Sequence, residues 1–230
     1  MGFELIVRHR ISVVLADLTR PMSKLPYMLF PTDIYLRHLP LSLPISRFAP
    51  WVLARDLAEI VRNTLPALPE DFRIEGDLAI HANATVEAGV TFRGPTIISA
   101  GCHIKANAYF RGGVWLGENV TIGPGCEIKS SVICARSAIA HFNYIGNSLI
   151  GADVNFEAGS ITANHFNERE DKSISVLVNG RRHPTGVTKF GAVVGDGCRI
   201  GANAVLSPGT ILLPGTVVGR LQLVNQERTE

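Results

Sequence analysis

Two basic residues in the middle of the chain have the types and spacing needed to bind a phosphate. Arg111 and Lys129 are 18 residues apart, and each directly follows a large apolar residue. Two neighbouring cations can hold a phosphate, and an arginine can donate two parallel hydrogen bonds to it. Arg93 and Lys105 also follow large apolar residues. From the pattern alone, solvated surface cations are therefore the favoured alternative.

A second group of polar residues offers a proton acceptor. His141 and Tyr144 lie three residues apart, downstream of the two cations. Histidine titrates at about pH 6.5, so a neutral imidazole can accept a proton from an amine or a hydroxyl in the cell. His81 and His103 are expected at ordinary corners, and composition alone favours the same interpretation for His141.

A repeat of six residues must position these side chains. From Ile80 to Ile128 every sixth residue is large and apolar, and the pattern resumes from Val194 to Val218. Glycine, asparagine or proline lies three residues after most of these positions, as tight corners require. An α-helix would scatter residues of this period around its surface. The repeat therefore predicts short parallel strands wound into a β-helix. It resembles the repeat of the hexapeptide-repeat family, whose coils hold about three hexads, which implies that residues 18 apart lie directly above one another.

The repeat breaks in three places. Between Ile128 and Asn164 two steps shorten to five residues, which indicates a local demand other than stacking. Residues 165–191 form a long excursion, in which an alternating run before Asn179-Gly180 predicts an ordered β-hairpin. Such excursions are usually functional when they are ordered, so we expect this one to serve the site.

The N-terminal part lies outside the repeat. Residues 1–49 contain five prolines and predict an irregular arm. A helix is predicted from Pro50 to about Leu65, with one apolar face that we expect to cap the open end of the β-helix. Two domains are therefore predicted: an N-terminal arm with a capping helix at 1–75, and a β-helix at 76–230 with its excursion at about 165–191.

Composition excludes several classes of protein. The 230 residues contain 22 Lys plus Arg and 20 Asp plus Glu, a net charge of +2, which is too near neutral for an electrostatic nucleic-acid binder. Charges interrupt every apolar run before the roughly 18 residues of a membrane span. Four cysteines without a CxxC pair indicate a reduced chain with no obvious zinc site. We expect a cytoplasmic protein with neither a membrane nor a nucleic-acid partner.

The stretch His141-Phe142-Asn143-Tyr144-Ile145-Gly146, continued by V-N-F-E-A-G-S-I-T-A-N at 154–164, carries a specific resemblance. It resembles the acetyltransferase domain of bacterial bifunctional N-acetylglucosamine-1-phosphate uridylyltransferases, in which H-x-x-Y-[IL]-G precedes V-N-x-x-A-G-x-I-T-x-N. Residues 179–182 and 189–191 are more similar to the archaeal-type sugar-1-phosphate nucleotidylyl/acetyltransferases. The resemblance covers about residues 76–220 and implies a left-handed triangular β-helix that forms a homotrimer with sites between subunits.

The resemblance implies a role for each matched residue. These roles are a general base (His141), phosphate ligands (Arg111, Lys129), contacts to phosphate or sugar hydroxyls (Tyr144, Asn155), a group that positions the amine and the acetyl group (Asn164), and a backbone contact to the thioester (Ala158). Two positions depart from the family. The family's later phosphate-binding lysine has no exact counterpart, but Lys172 or Arg169 lies nearby at a changed spacing, and Lys172 is the expected substrate ligand. Ala202 replaces a serine that contacts the acyl donor.

The implied function is an acetyl-CoA-dependent N-acetyltransferase acting on glucosamine 1-phosphate or a related amino-sugar 1-phosphate, in nucleotide-sugar precursor synthesis. No metal is required for that reaction. The 75 residues before the repeat are too few for a nucleotidyltransferase domain, so a separate nucleotidyltransferase is a possible partner. The alternative is a non-catalytic subunit that binds sugar phosphates or serves assembly. A zinc lyase is disfavoured, because His141, His165 and His183 lack the spacing of such sites.

Overall fold

The computed structural model describes residues 30–37, 39–40 and 48–226. Most of the predicted irregular arm at 1–49 therefore lies outside the described residues. The described chain is built mainly from short strands, with one helix longer than a single turn.

The helices are α1 (Thr32–Tyr35), α2 (Pro50–Thr64) and a short 3-10 helix (Leu65–Ala67). The strands are, in chain order, β1 (Phe72–Glu75), β2 (Leu78–His81), β3 (Thr85–Val86), β4 (Thr91–Arg93), β5 (Thr96–Ile98), β6 (His103–Ile104), β7 (Tyr109–Leu116), β8 (Thr121–Ile122), β9 (Glu127–Ile133), β10 (Ala138–Ile139), β11 (Tyr144–Gly146), β12 (Leu149–Ile150), β13 (Asn155–Phe156), β14 (Ile161–Thr162), β15 (Ser175–Val178), β16 (Arg181–Pro184), β17 (Ala192–Val194), β18 (Arg199–Ile200), β19 (Val205–Leu206), β20 (Thr210–Leu212), β21 (Val217–Val218) and β22 (Leu223–Val224).

The strands stack in parallel into a left-handed β-helix with three faces, which confirms the predicted fold class. Face 1 is a seven-stranded sheet in the order β21-β18-β13-β10-β8-β6-β3. Faces 2 and 3 belong to one 13-stranded sheet, because β7 and β9 continue around the corner between these faces. Face 2 carries β4, β11, β14, β19 and β22, and face 3 carries β2, β5, β12, β17 and β20.

The six-residue repeat fills the interior of this β-helix. Ile98, Phe110, Leu116 and Ile128 point inward and are completely buried. Corner residues adopt the left-handed backbone conformation that asparagine and glycine tolerate, for example Asn107 with a φ of 62°. The stacked coils bury apolar surface that a single coil would expose, which is why the repeat stabilises the fold only collectively.

Five-residue steps correspond to shortened corners between faces 2 and 3. Ser130 and Asn147 occupy these corners with φ values of 45° and 46°. The preceding corner keeps six residues and contains Gly112 and Gly113, so β7 and β9 change register between Arg111 and Val114. The short corner at Asn147 lies next to Asn164, one of the predicted site residues, whose side chain bonds to it.

A second core lies outside the β-helix on face 3. The outward residues Ile97, Trp115, Val132 and Leu149 are at most 8% exposed, although they point away from the interior. They are covered by α2, by the excursion and by residues 30–36, which belong to the same apolar cluster. Both surfaces of face 3 are therefore apolar, which is the pattern of a fully covered sheet.

Helix α2 forms as predicted, but the expectation that it caps the open end is wrong. A Cβ atom at Gly113 would collide with the backbone of Ala58, so the helix lies directly against the flank of face 3. The helix is amphipathic, and Leu57 and Val61 on its apolar face are fully buried. At the first coil, β1 instead pairs antiparallel with β2. The proposed division at residue 75 remains a prediction.

The excursion contains the predicted hairpin. Strands β15 and β16 pair antiparallel around Asn179-Gly180, with Val178 opposite Arg181. Ile174, Val176 and Val178 are at most 4% exposed within the second core. The excursion therefore covers the outer surface of face 3, and its expected role at the site is separate from this covering.

Deleting residues 168–188 should lower the free energy of unfolding by several kcal/mol, because each buried valine or isoleucine stabilises by about 1.5–3 kcal/mol. The comparison is Arg181→Ala on the exposed side of the same hairpin, which should change stability by less than about 0.5 kcal/mol. Both are measured by thermal and urea unfolding. An unchanged midpoint for the deletion would contradict the covering role.

Among the residues that the structure describes, no helix is long and apolar enough to cross a membrane.

Candidate functional site

Arg111 and Lys129 lie directly above one another on face 2, as the 18-residue spacing predicts. Glu127 lies beside them and pairs with Arg111, whose Nε and Nη2 donate to Glu127 Oε1 at 2.7 and 2.6 Å. The two side chains are 39% and 33% exposed, so this ion pair lies at the surface and a ligand can reach it. The stacking is established by the register, while the role in phosphate binding remains a prediction.

A third cation, Lys189, is near enough for its charge to act on Lys129, and Arg111, Lys129 and Lys189 are called the cation cluster below. Burial lowers the pKa of Lys129, and the positive charges of Lys189 and Arg111 lower it further, while Glu127 opposes the shift. Lys189 comes from the end of the excursion, 60 residues beyond Lys129 in the chain. The charges of Arg111, Lys129 and Lys189 outnumber the one carboxylate of Glu127, and this excess of positive charge favours an anionic ligand.

Two asparagines and a tyrosine border this cluster. Asn164, 8% exposed, donates from Nδ2 to Asn147 Oδ1 at 2.6 Å. Burial raises the pKa of Tyr144 and Glu127 raises it further, whereas Arg111 and a hydrogen bond with Asn164 lower it. Tyr144 is therefore a neutral phenol that can share its hydroxyl with a polar ligand. The structure thus brings together four of the predicted residues: Arg111, Lys129, Tyr144 and Asn164.

His141, Ala158 and Ala202 lie one above another along the edge between faces 1 and 2. Backbone hydrogen bonds link the successive corners: Gly159 N donates to His141 O at 2.9 Å, and Asn203 N donates to Ala158 O at 3.0 Å. The His141 side chain is exposed to solvent. The predicted base and the two predicted acyl-donor positions therefore share an edge, although their roles stay predictions.

Glu157 lies beside that edge and bonds to Ala202. Both guanidinium donors Nε and Nη2 of Arg220 bond to its carboxylate at 2.8 Å, and Ala202 N donates to it at 2.8 Å. The Arg220 hydrogen bond, followed by the Ala202 amide, lowers the pKa of Glu157 to about 2. Glu157 is therefore ionised at any pH near neutrality and fixes the Ala202 backbone.

Asn155 lies apart from the cation cluster. It stands on face 1 beside Arg199, in strand register with it. Both line an open groove of about 310 Å³ together with Glu157 and Arg220. Within one subunit, the predicted residues are thus divided between face 2, the edge and face 1.

Lys172 is half-buried, and its Nζ donates to the carbonyl oxygen of Asn167 at 2.8 Å. Its role in substrate binding remains a prediction. Lys189 is the lysine whose charge acts on Lys129. Sequence reasoning missed Lys189, because a change in spacing within an excursion hides which lysine returns to the coil. It also missed Asn147, although the five-residue step marked that corner as unusual.

Within the described ranges, no group of three or more His, Cys, Asp and Glu side chains could hold a metal ion. All four cysteines are free and buried. Burial raises the pKa of Cys102 to about 11, so its thiol stays protonated at neutral pH.

Fold and geometry together define a left-handed β-helix that carries a cationic cluster on one face. Residues 92–180 match the protein-family model described as the GMPPB C-terminal domain. Among curated proteins, the chain is 42% identical over 101 residues to the bifunctional sugar-1-phosphate nucleotidylyltransferase/acetyltransferase of Sulfurisphaera tokodaii. It is 36% identical over 102 residues to the bifunctional protein GlmU of Methanococcus vannielii, and 36% over 104 residues to that of Buchnera aphidicola.

These similarities confirm the resemblance predicted from the motifs. They cover 41% of this chain in the first case and 44% in the second, and 24% of each archaeal relative. The chain therefore spans about a quarter of the length of these two relatives. The matched family segment includes Arg111, Lys129, His141 and Asn164, and it ends before Lys189.

Proposed function

We propose that this chain is an acetyltransferase that acts on an amino-sugar 1-phosphate, with glucosamine 1-phosphate as the first candidate. The observation that carries the proposal is the stacking of Arg111 on Lys129, with the charge of Lys189 acting on Lys129 and the buried Asn164 nearby. Such a cluster suits a phosphate group, and the adjoining amide and phenol suit sugar hydroxyls and an amine. The names of the relatives, which include sugar-1-phosphate and acetyltransferase, support the same class of reaction.

His141 is the proposed general base. An ammonium has no lone pair, so the amine must be neutral when it attacks the thioester carbonyl of acetyl-CoA. The imidazole takes the proton that the attacking amine loses, and the thiolate of CoA is the leaving group. Asn164 orients the amine, and backbone donors near Ala158 stabilise the oxyanion. The reaction needs no metal in this proposal.

A homotrimer completes the proposed site. Within one subunit Asn155 stands on face 1, whereas the cations stand on face 2. A three-fold arrangement that sets face 1 of one copy beside face 2 of the next brings them to one cleft. Each trimer then contains three equivalent sites. Exposed apolar residues at the final coils, Val217, Leu221 and Leu223, supply area for such contacts.

The proposed setting is the cytoplasm, where acetyl-CoA and sugar phosphates are available. The chain makes the acetylated sugar phosphate, and a separate nucleotidyltransferase is the proposed consumer of that product. Neither nucleic acid nor a membrane has a part in this scheme.

The first experiment follows release of the CoA thiol from acetyl-CoA with three acceptors: glucosamine 1-phosphate, galactosamine 1-phosphate and unphosphorylated glucosamine. We expect turnover with at least one phosphorylated acceptor and at least a tenfold lower kcat/KM without the phosphate. Equal turnover with glucosamine would contradict a phosphate site. Binding of the sugar phosphates without turnover by a trimeric sample would favour the alternative, a non-catalytic sugar-phosphate-binding or assembly subunit.

A further inference from the structure

The segment that carries Lys189 is anchored in the second core, on the outer surface of face 3. After the hairpin, the chain returns to the coils through Lys189, Phe190 and Gly191. Phe190 N donates to Asn164 O, and Gly191 N donates to Asn147 O, both at 3.0 Å. Asn147 and Asn164 are also joined by their side chains. The return segment and the bordering asparagines thus form one hydrogen-bonded unit.

Close packing leaves this segment little freedom. A Cβ atom at Gly191 would collide with the carbonyl oxygen of Gly146 and with Ser148 Oγ. Ser148 in turn donates to Gly146 O at 2.8 Å and accepts from Ala192 N at 3.0 Å. The backbone from Phe190 to Ala192 is therefore held against the shortened corner that contains Asn147.

The Phe190 ring anchors the segment in the second core. It is completely buried, and its centroid lies 5.9 Å from the ring of Trp51, with an angle of 72° between the ring planes. Trp51 belongs to α2, is 6% exposed, and also packs edge-on against Phe30 at 6.2 Å. Edge-to-face aromatic pairs of this geometry stabilise a contact beyond the burial of area.

An anchor is needed at this position because electrostatic repulsion from Lys129 opposes the placement of Lys189 beside it. The positive charge of Lys189 acts unfavourably on the charged form of Lys129. Lys189 itself is exposed to solvent. Without a bound anion, like charges repel, so an unanchored Lys189 would move away from Lys129. Burial of Phe190 and the two backbone hydrogen bonds supply the opposing free energy.

We infer that Phe190, buttressed by Trp51 of helix α2, is a positioning residue that holds Lys189 and Asn164 in the anion-binding cluster. This rests on the proposed function and extends it to helix α2 and to the return segment, both of which lie outside the residues 92–180 matched by the family model. The N-terminal helix is then a support for the site as well as a cover for face 3.

The test is a double-mutant cycle read by calorimetric binding of glucosamine 1-phosphate, with inorganic phosphate as a second probe. Phe190→Ala should weaken binding about tenfold, and Lys189→Ala should do the same. In the Lys189→Ala background, Phe190→Ala should have a much smaller effect, because its action runs largely through that lysine. Trp51→Leu should weaken binding in the same direction by a smaller factor.

The matched control is Ile211→Ala, which removes a side chain that is 5% exposed in the same second core. It should lower the melting temperature as a cavity mutation does, yet leave the dissociation constant within about twofold of wild type. All variants are measured well below their melting temperatures. Equal weakening by Ile211→Ala, or full additivity of the double mutant, would overturn the positioning role.

The two probes separate this inference from the proposed function. If wild type binds phosphate but not glucosamine 1-phosphate, the acceptor is wrong, and the cycle still tests Phe190 through phosphate. If wild type binds neither probe, both are overturned, since Phe190 then has no anion site to support.

Discussion

His141→Ala is expected to reduce kcat for acetyl transfer by a factor of about 10²–10⁴, the usual contribution of a positioned general base. His141 sits in a corner with an exposed side chain, and its backbone carbonyl accepts hydrogen bonds from Gly159 and from the Asn143 side chain. Those backbone bonds survive the substitution. The fold should therefore be unaffected, and the loss should fall on chemistry rather than on sugar-phosphate binding.

His103→Ala provides the matched control. His103 is also exposed and lies on face 1, where its Nδ1 contacts Thr85 Oγ1 at 2.8 Å. Its loss should leave kcat within about twofold of wild type. Steady-state kinetics at several pH values, with sedimentation to verify the assembly, measures both variants. Near-normal turnover by His141→Ala would remove this residue as the base.

The fold could be predicted from sequence because the hexad leaves a local signature at every coil. Apolar residues at Ile98, Ile104 and Phe110 and corner residues such as Asn107 each carry the same information, so one irregular corner does not obscure the pattern. The position of α2 could not be predicted in the same way. The pattern of an amphipathic helix shows that its apolar face packs against another surface, but it does not show which one. The outer side of face 3 is also apolar, and α2 packs there.

The candidate site was predictable only where regular coils determine distance. Arg111 and Lys129 occupy equivalent positions in successive coils, so the register follows directly from their spacing. Lys189 is the 25th of the 27 residues of the excursion at 165–191, and nothing in the hexad specifies where such a segment returns. Its position depends on tertiary packing of Phe190 against Trp51, which only the assembled structure displays.

Lys129→Ala is expected to raise the KM for the phosphorylated sugar about tenfold to a hundredfold, with little change in the KM for acetyl-CoA. Charge-assisted hydrogen bonds to phosphate are stronger than neutral ones, and Lys129 is partly desolvated, which strengthens its interaction with an anion. Turnover of unphosphorylated glucosamine should hardly change. Equal losses for both substrates would contradict the assignment of Lys129 to the phosphate.

Lys105→Ala is the control for charge alone, because Lys105 occupies an exposed surface position and pairs with Glu87 at 3.0 Å. It should leave the KM for the sugar phosphate within about twofold. The pH dependence gives an independent readout of Lys129. Its pKa is lowered by burial, Lys189 and Arg111, so its charge is lost at a lower pH than that of an ordinary lysine as the solution becomes alkaline.

A bound phosphate would favour the ammonium form of Lys129 and raise its pKa again. Binding on the alkaline side should therefore take up protons and weaken as the pH rises. Calorimetric enthalpies measured in buffers of different ionisation enthalpy report that uptake directly, and the signal should shrink in Lys129→Ala while remaining in Lys105→Ala. Proton uptake that is identical in wild type and Lys129→Ala would place the linked proton on another group and would contradict the assignment of Lys129 to the phosphate.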